Sequence, residues 1–378
     1  MKSSLRVRSS LLWLAAGIGA WGLSRVFAQF PETTEALYGR AGPAMARALS
    51  LVTGAVPFSV AEAMVSGYIA LRVFRSARGL TDAARRRRPW RRTIAAGLLT
   101  TARDIGVILA GFYILWGWNY SRPPVEERLQ LPPAATKTDP EFVASLSSEF
   151  LERANAAYRE IHGSDDAGAP TQLPSPWSAV DQFVEEGWRE LAANPRLAAG
   201  FDPHLDARRG RGKRLLFSEL LSHLGLSGFY FPFTGEANVN GGIPAVAMPQ
   251  VLAHEKAHQR GIGPEDEANF LGFLAAASSR DAYARYSACV FAHRQLLRVL
   301  LSLDRDRGEE ILKLRLPGVQ RDIDDLNAYW RKYEGPASEV SERMNDAYLK
   351  SNRVEGGVAS YGKSVELLLR FASAERNP

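Results

Sequence analysis

The sequence predicts a mainly α-helical protein with an N-terminal membrane anchor and a second, α-rich domain. Three observations lead to this fold class. The first 120 residues contain three long apolar stretches, and the chain after Glu265 repeats apolar residues at helical spacing almost to its end. Between these regions, residues 227–250 alternate aromatic, Val and Asn residues between glycines and prolines, which favours a small β element.

The composition is that of a folded protein, with 46% hydrophobic and 23% charged residues among 378. The formal net charge of +6 comes largely from arginines at 85–88, 91 and 92. Because this run lies between two apolar stretches, it favours an orientation signal beside a membrane over nucleic-acid binding. Cys289 is the only cysteine, which excludes an intramolecular disulfide and a cysteine-based zinc site.

The membrane anchor is predicted to occupy residues 1–120, with a bundle of transmembrane helices at about 9–28, 49–74 and 94–120. The arginine-rich loop between the last two spans would face the cytoplasm, so a multi-pass anchor with three spans predicts an extracytoplasmic second domain. The first segment also fits a signal peptide cleaved near Val26-Phe27-Ala28.

Two charged residues, Arg103 and Asp104, fall within the third span, where charges are costly unless they are paired. We expect these residues to pair with each other or with Glu62 inside the bundle. The alternative is a shorter span at about 105–120, with the preceding turns lying in the membrane interface.

Beyond the anchor, the proline-rich residues 121–138 are predicted to form a connector without regular structure. The second domain then occupies residues 139–378. Asp139 and Pro140 provide the N-cap and the first residue of a helix that reaches about His162. Further helices are predicted at 178–193, 265–277, 280–303, 308–314, 323–333, 339–352 and 363–374.

Residues 251–273 carry the motif that is most specific for chemistry. His254, Glu255 and His258 form H-E-x-x-H in a segment with the character of a buried helix. Positions i and i+4 share one helical face, so both imidazoles can bind one metal ion while Glu255 flanks it. A catalytic Zn²⁺ takes three protein ligands and keeps one open position, so a third ligand must come from elsewhere in the chain.

The nearest carboxylates along the chain are those of Glu265, Asp266 and Glu267. Residues 265–269 resemble the E-x-x-A-D/N arrangement of several zinc peptidase families. This resemblance implies that Glu265 is the third ligand and that Asn269 orients a ligand histidine. Glu267 is the rival ligand, although it would place Leu271, which cannot hydrogen-bond, at the orienting position.

With one Zn²⁺ ion bound, Glu255 is expected to act as the general base, taking a proton from the metal-activated water and delivering it to the leaving amine. A further residue is expected to stabilise the developing oxyanion. Tyr361, predicted in a loop beside a glycine, is the candidate, and His293 and Arg260 are alternatives. An ordinary packing or surface role is the competing interpretation for each.

A short strand at Glu236-Ala237-Asn238-Val239 precedes the H-E-x-x-H helix. An edge strand beside such a site aligns a substrate backbone by β-augmentation, so Glu236, Ala237 and Asn238 are predicted to bind the substrate. The alternative is a hairpin that only packs under the helix.

Several segments together resemble an uncharacterised bacterial family of membrane proteins, known as domain of unknown function 3810 and regarded as zinc-peptidase-like. The resemblance implies about three membrane helices followed by an α-rich, zincin-like domain, and it implies no substrate. The segments are W-G-W-N-Y-S-R-P-P at 116–124, F-P-F-T-G-E-A-N-V-N at 231–240, H-E-K-A-H-Q-R-G-I at 254–262, E-D-E-A-N-F at 265–270 and S-Y-G-K at 360–363.

The predicted function is that of a membrane-anchored zinc metallopeptidase in the bacterial cytoplasmic membrane. Its partners would be the lipid bilayer and a peptide or protein substrate, with the cell envelope as one source. Two alternatives stay open. The domain could be a zinc-binding envelope scaffold or peptide-binding module without catalysis, or it could be a cell-wall amidase that uses the same zinc chemistry.

Overall fold

A computed structural model describes residues 2–87, 89–135, 137–201, 205–351 and 361–376, and it is mainly helical, as predicted. The N-terminal part contains α1 (Lys2–Phe27), α2 (Pro31–Tyr38), α3 (Ala41–Gly54), α4 (Val60–Ala84), α5 (Trp90–Leu115) and a 3-10 helix at Gly117–Ser121. The second part contains α6 (Val125–Arg128), α7 (Pro140–His162), α8 (Trp177–Ala192), α9 (Pro195–Gly200), α10 (Ser218–His223), α11 (Met248–Gln259), α12 (Glu265–Ser278), α13 (Ala282–Leu303), α14 (Arg305–Leu312), α15 (Pro317–Tyr333), α16 (Pro336–Ser351) and α17 (Tyr361–Arg376). The predicted β element consists of three strands, β1 (Lys213–Arg214), β2 (Gly228–Phe231) and β3 (Glu236–Val239).

Among the described residues, two helices are long and apolar enough to cross a membrane: α1 from Val7 to Phe27, and α5. The prediction of a span at 49–74, the second of the three predicted spans, is wrong. Residues 55–59, which include Pro57, separate α3 from α4 within that stretch. Proline lacks a backbone donor, so the apolar run is divided into the end of one helix and the start of another.

The helices α1 and α5 run in the same direction. A Cβ atom on Gly106 would lie 2.2 Å from the backbone oxygen of Trp13, so the two backbones touch where only glycine fits. Further along, Trp118 Nε1 donates to the backbone oxygen of Ala20 at 3.2 Å. Residue numbers increase together along the contact, and α1 and α5 therefore lie parallel.

The helix between them, α4, runs in the opposite direction. Tyr68 donates a hydrogen bond to Asp104 Oδ2 at 3.0 Å, and Arg72 Nη2 donates to Thr101 Oγ1 at 3.0 Å. Later residues of α4 therefore meet earlier residues of α5. The tip of this helical hairpin carries the arginines at 85–87, about 37 Å from the start of α4, because an α-helix rises about 1.5 Å per residue.

The charged residues of the predicted third span pair with each other, as one alternative proposed. Arg103 Nη2 lies 2.8 Å from Asp104 Oδ1. Glu62 is not part of this cluster. Its carboxylate accepts hydrogen bonds from the backbone amides of Leu216 and Phe217, at 3.0 and 2.8 Å. The start of α4 therefore lies against the second domain.

The prediction of a connector without regular structure at 121–138 is wrong for its first half. Pro124 has extended backbone angles and precedes α6, and the α6 residue Val125 is fully buried. The backbone amide of Val125 donates to Glu267 Oε1 at 3.1 Å. Leu129 and Leu131 also belong to the core, so this segment is part of the second domain.

Helix α12 lies at the centre of the second domain, in contact with α8, α11, α13 and α17. Two glycines allow the close approach of its neighbours. A Cβ on Gly187 of α8 would lie 2.1 Å from the backbone oxygen of Ala275, and a Cβ on Gly272 of α12 would lie 2.8 Å from the Cα of His254. The spacing between α11 and α12 therefore depends on glycine at position 272.

The sheet has the strand order β1-β3-β2. Strand β3 pairs in parallel with β1, and antiparallel with β2 in the register Gly228↔Val239 to Phe231↔Glu236. All four residues of β3 are buried. The strand Glu236–Val239 is therefore the central strand of the sheet.

Two buried charges of the sheet bind the ends of α3 and α4. Glu236 accepts hydrogen bonds from the backbone amides of Val60 and Ala61, at 3.0 and 2.7 Å, at the start of α4. Lys213 Nζ donates to the backbone oxygen of Thr53 at 3.0 Å, at the end of α3. A carboxylate at a helix N-terminus and an ammonium at a helix C-terminus both complement the helix dipole. The ends of α3 and α4 are therefore attached to the sheet through charge.

We predict that Glu236→Gln loosens this attachment. Glutamine keeps one acceptor oxygen for the two amides and loses the charge, so the local opening free energy of the 53–62 turn should fall by about 1–3 kcal/mol. Hydrogen exchange of the Val60 and Ala61 amides in detergent-solubilised full-length protein measures this local opening free energy. Glu127→Gln, an exposed position in α6, is the matched control. Unchanged exchange in Glu236→Gln would contradict the role.

Candidate metal centre

The two histidines of H-E-x-x-H lie on one face of α11, with ring centroids 4.7 Å apart. Both face the start of α12. His254 Nε2 lies 3.2 Å from Glu265 Oε2, and His258 Nε2 lies 3.5 Å from Glu265 Oε1. The structure thus brings together the three residues that the sequence selected as metal ligands, with their donor atoms directed at one another.

A tight turn between α11 and α12 creates this arrangement. Gly261 has a φ of 83°, in the left-handed region that favours glycine. Pro264 then precedes α12 and places Glu265 in its first turn. Because Gly272 lets α12 pack directly on the backbone of His254, the short turn is enough to bring Glu265 back to the histidines.

The tautomer of His258 is set by its backbone neighbour. Its Nδ1 lies 2.7 Å from the backbone oxygen of Ile262, which can only accept a hydrogen bond. In the neutral ring the proton is therefore on Nδ1, and the lone pair of Nε2 points to Glu265. Trp116 packs edge-on against this ring, with centroids 5.4 Å apart. A metal-binding imidazole has this hydrogen-bonding pattern.

Burial and charge oppose each other in this cluster. Burial lowers the pKa of His258, but the Glu265 carboxylate outweighs burial and raises that pKa to about 9. Burial raises the pKa of Glu265, and the histidines reverse this effect so that its pKa lies well below the usual range. The Glu265 carboxylate therefore stabilises a positive charge between the two rings. A divalent cation would supply such a charge.

Glu255 is buried on the side of the cluster that faces β2. A Cβ on Gly228 would lie 2.7 Å from Glu255 Oε1, so the strand approaches this carboxylate where only glycine fits. Burial raises the pKa of Glu255 to about 7. Ligand atoms of His254, Glu255 and His258 lie within 4.8 Å of one another, so Glu255 borders the same space. Glu265 lies within 3.5 Å of both imidazoles, so it stays the candidate third ligand beside Glu255.

Glu267 and Asn269 have different positions in this geometry. Glu267 binds the backbone amide of Val125 and does not face the histidines, which removes it as the rival third ligand. Asn269 lines the same space as Glu265. Within the part of the chain that the structure describes, Asn269 Nδ2 and His254 Nδ1 have no hydrogen-bond partner. The orienting role of Asn269 stays a prediction.

The opposite face of α11 is held by buried ion pairs that sequence reasoning missed. Lys256 Nζ lies 2.9 Å from Asp181 and 2.7 Å from Glu185, and Arg260 Nη2 lies 3.1 Å from Glu185. The two acids, Asp181 and Glu185, are four residues apart on α8. The two bases are also four residues apart, with Lys256 on α11 and Arg260 directly after it. That matched spacing was the available signal, but such pairs are usually exposed.

A cleft of about 460 Å³ runs along the histidine face of α11. Its walls come from β2, from α13 and from the segment after α5. Residues from these elements that face it include Trp116, Tyr120, Gly228, Phe229, Ser287 and Phe291. The cluster therefore opens into a space large enough for several residues of a peptide.

The prediction that Glu236, Ala237 and Asn238 form the substrate-binding edge strand is wrong. These residues belong to β3, which pairs with a strand on each side. Glu236 binds the start of α4, and Asn238 Oδ1 accepts a hydrogen bond from Ser59 at 2.7 Å. The edge strand that lines the cleft is β2, because the chain folds β3 into the middle of the sheet.

Two of the three candidates for oxyanion stabilisation, His293 and Arg260, do not line the cleft. Tyr361 is the first residue of α17 instead of a loop residue, and its side chain lies outside the described part of the structure. His293 is buried, and its Nε2 accepts a hydrogen bond from Arg315 at 3.0 Å. Arg260 takes part in the ion pairs with α8. The packing interpretation holds for His293 and Arg260.

Comparison with known proteins gives one family. A family model described as "Protein of unknown function (DUF3810)" matches residues 40–369. No curated protein and no solved structure matches the chain. The family match begins between α2 and α3 and includes α4, α5, the sheet and the helices α11 and α12.

We predict that Glu185→Gln destabilises the protein by about 3 kcal/mol at pH 7, because Lys256 and Arg260 lose their buried carboxylate. Burial raises the pKa of Glu185, but Arg260 and Lys256 outweigh burial and lower it from 4.5 to about 2. The stabilisation is therefore present above pH 4.5 and is lost as the pH falls towards 2.

Denaturant unfolding of wild type and variant at several pH values measures this difference, which should shrink below pH 4.5. Glu186→Gln is the matched control on the same helix, since Glu186 faces the exposed Arg280 and should contribute less than about 1 kcal/mol. Equal effects of the two substitutions would contradict the buried ion-pair role.

Proposed function

The chain belongs to the family whose model it matches, and because that family has no assigned activity, we propose from the site itself that the protein is a zinc-dependent peptide hydrolase. The observation that supports this proposal is the convergence of His254, His258 and Glu265 beside the buried Glu255. Two imidazoles and one carboxylate are a donor set that suits zinc and leaves a coordination position open.

The residues have the form that a zinc site requires. In its neutral form His258 presents a lone pair on Nε2, and Glu265 carries a negative charge. Zinc would displace the proton that Glu265 favours on the His258 ring, whose pKa without metal is about 9. Bound zinc would polarise a carbonyl group and acidify a water molecule. Two residues that do not bind zinc would have other roles in the reaction. Glu255 accepts a proton and returns it to the leaving group, and Gly228 leaves room for its carboxylate.

The cleft suits an extended polypeptide. Strand β2 is an edge of the sheet and lines the cleft beside Glu255, so a substrate strand can pair with its backbone. Such pairing would place a peptide bond of the substrate in front of His254, His258 and Glu265. A cell-wall amide is a second substrate that the same donor set serves. A scaffold that binds zinc without catalysis is the alternative from another class, and it gives no role to the buried Glu255.

We also propose that α1 and α5 hold the protein in a bacterial cytoplasmic membrane with the second domain on the extracytoplasmic side. Because these two helices are parallel, the antiparallel α4 would return the chain through the same bilayer beside them. Helices α1 and α5 are parallel, so the basic N-terminal residues and the arginines at the α4–α5 tip lie at the same end of the anchor. The second domain lies at the other end. Basic residues favour the cytoplasmic side of a membrane, and both clusters give the same orientation.

An apolar patch beside the anchor supports contact with the bilayer surface. Leu216, Phe217 and Leu220 are 82%, 55% and 59% exposed. The amides of Leu216 and Phe217 bind Glu62 in the first turn of α4, so the patch lies where the anchor meets the domain. Exposed apolar groups at this level gain free energy by entering the lipid interface.

The first test uses metal content and peptide hydrolysis by purified full-length protein. We expect one zinc per chain, a loss of most zinc in His254→Ala, and retention in Glu255→Gln. Hydrolysis of a quenched fluorescent peptide library should fall by at least about 100-fold in Glu255→Gln, the size of a general-base contribution. Glu219→Gln, on the surface helix α10, is the control for a neutralised glutamate.

Two outcomes would contradict the hydrolase. Zinc bound equally well by His254→Ala would remove the site, and equal hydrolysis by Glu255→Gln and wild type would remove the mechanism. Zinc binding without hydrolysis of any peptide would favour the scaffold or the amidase.

The second test places a nitroxide label at Phe217→Cys in liposome-reconstituted protein. Cys289 is fully buried, and burial raises the pKa of its thiol to about 11, so it gives little background labelling. We expect collisions with oxygen to exceed those with a water-soluble nickel complex at position 217. Leu314→Cys, an exposed leucine outside the patch, is the control. Aqueous accessibility at position 217 would contradict bilayer contact.

A further inference from the structure

Gln250 is a buried residue of the cleft with no assigned partner. It lies one helical turn before His254 on α11, and only 4% of it is exposed. Among the described residues, neither Nε2 nor Oε1 of its carboxamide has a hydrogen-bond partner, and the residue lines the cleft. An unsatisfied buried amide costs about 1–3 kcal/mol, so it fits a ligand that supplies both a donor and an acceptor. A peptide group does so.

Arg294 is a second polar group of the same cleft. Its Nη2 donates to Asn327 Oδ1 at 2.8 Å, and no carboxylate of the described residues lies within ion-pair distance of its guanidinium. Burial, with the neighbouring Arg298, lowers its pKa. A partly buried guanidinium without an acidic partner is a binding group for a carboxylate, since several of its five N–H donors are not used by Asn327.

The two groups are connected through α13. The Ser287 hydroxyl accepts a hydrogen bond from the backbone amide of Gln250 at 3.0 Å, so this part of α13 lies beside Gln250. Ser287, Val290, Phe291 and Arg294 all line the cleft. Arg294 is seven residues after Ser287, which is about 10 Å along an α-helix. An extended peptide covers that distance in about three residues.

We propose that Gln250 and Arg294 select peptides that carry a carboxylate, with Gln250 binding a backbone amide and Arg294 binding the carboxylate about three residues away. The proposal rests on the proposed function for the nature of the ligand. Val290 and Phe291, between the two groups, would cover the intervening side chains. The carboxylate belongs either to a free C-terminus or to an acidic side chain, and both present the same two oxygens to the guanidinium.

The test measures binding, not turnover, with full-length Glu255→Gln in detergent. Three fluorescein-labelled pentapeptides are titrated by fluorescence anisotropy: pentaalanine with a free C-terminus, its C-terminal amide, and the amide with glutamate as the last residue. We expect the neutral amide to bind at least about tenfold weaker than one of the acidic peptides, a difference of about 1.4 kcal/mol. The acidic peptide that binds more tightly identifies the source of the carboxylate.

Variants assign the preference to residues. Arg294→Gln should remove the difference between acidic and neutral peptides, and Arg294→Lys should keep part of it. Gln250→Leu should weaken all three peptides by a similar factor, because each has the same backbone amides. Arg298→Gln, an exposed arginine on the same helix, is the matched control and should bind as the parent protein does. A wild-type melting temperature for each variant shows that the fold is intact.

The outcomes separate this inference from the proposed function. Equal binding of acidic and neutral peptides, or a preference that survives in Arg294→Gln, overturns the inference, as does the absence of binding by all three peptides. Protein that prefers acidic peptides but hydrolyses none in its wild-type form supports the inference and overturns the hydrolase. Hydrolysis without any preference for a carboxylate overturns the inference and supports the hydrolase.

Discussion

The buried ion pairs between α8 and α11 are the constraint on which the rest of the site depends. Helix α11 carries histidines and Glu255 on one face and the cations Lys256 and Arg260 on the other. A short helix with charge on both faces cannot be buried unless each charge is paired. Asp181 and Glu185 neutralise the rear face, so the front face can be buried beside the cleft. The geometry of the two histidines thus depends on residues that never reach the cleft.

The N-terminal helices and the candidate metal centre are connected through the segment after α5. Trp116 packs on the ring of His258, and Arg122 donates to the backbone oxygen of Gly261 at 3.1 Å. Glu236 and Lys213 hold the α3–α4 turn on the other side of the sheet. The second domain therefore has two points of attachment to the helices before it, and one of them touches a candidate metal ligand directly.

Sequence reasoning found what depends on local spacing. His254 and His258 share a face because any α-helix places i and i+4 together, and the glycines after them signalled the turn that returns Glu265. Strand Glu236–Val239 was found as an element but misplaced as an edge, because the position of a strand in a sheet depends on partners far away in the chain. The apolar run at 49–74 was predicted as one span despite Pro57 and Glu62, because its length and apolar character suit a membrane helix, but the chain breaks at residues 55–59.

Other features left no local signal. Gln250 is an ordinary polar residue in the sequence, and only the fold shows that its carboxamide is buried in the cleft.

The contact between Trp116 and His258 has a consequence for how substrates meet the protein. If α5 spans the bilayer and the histidine cluster hydrolyses peptides, both as proposed, the cluster lies one side chain away from the end of the membrane helix, because Trp116 directly follows α5. Encounter then becomes a search in two dimensions, in which a membrane-tethered chain has a large advantage over a freely diffusing one.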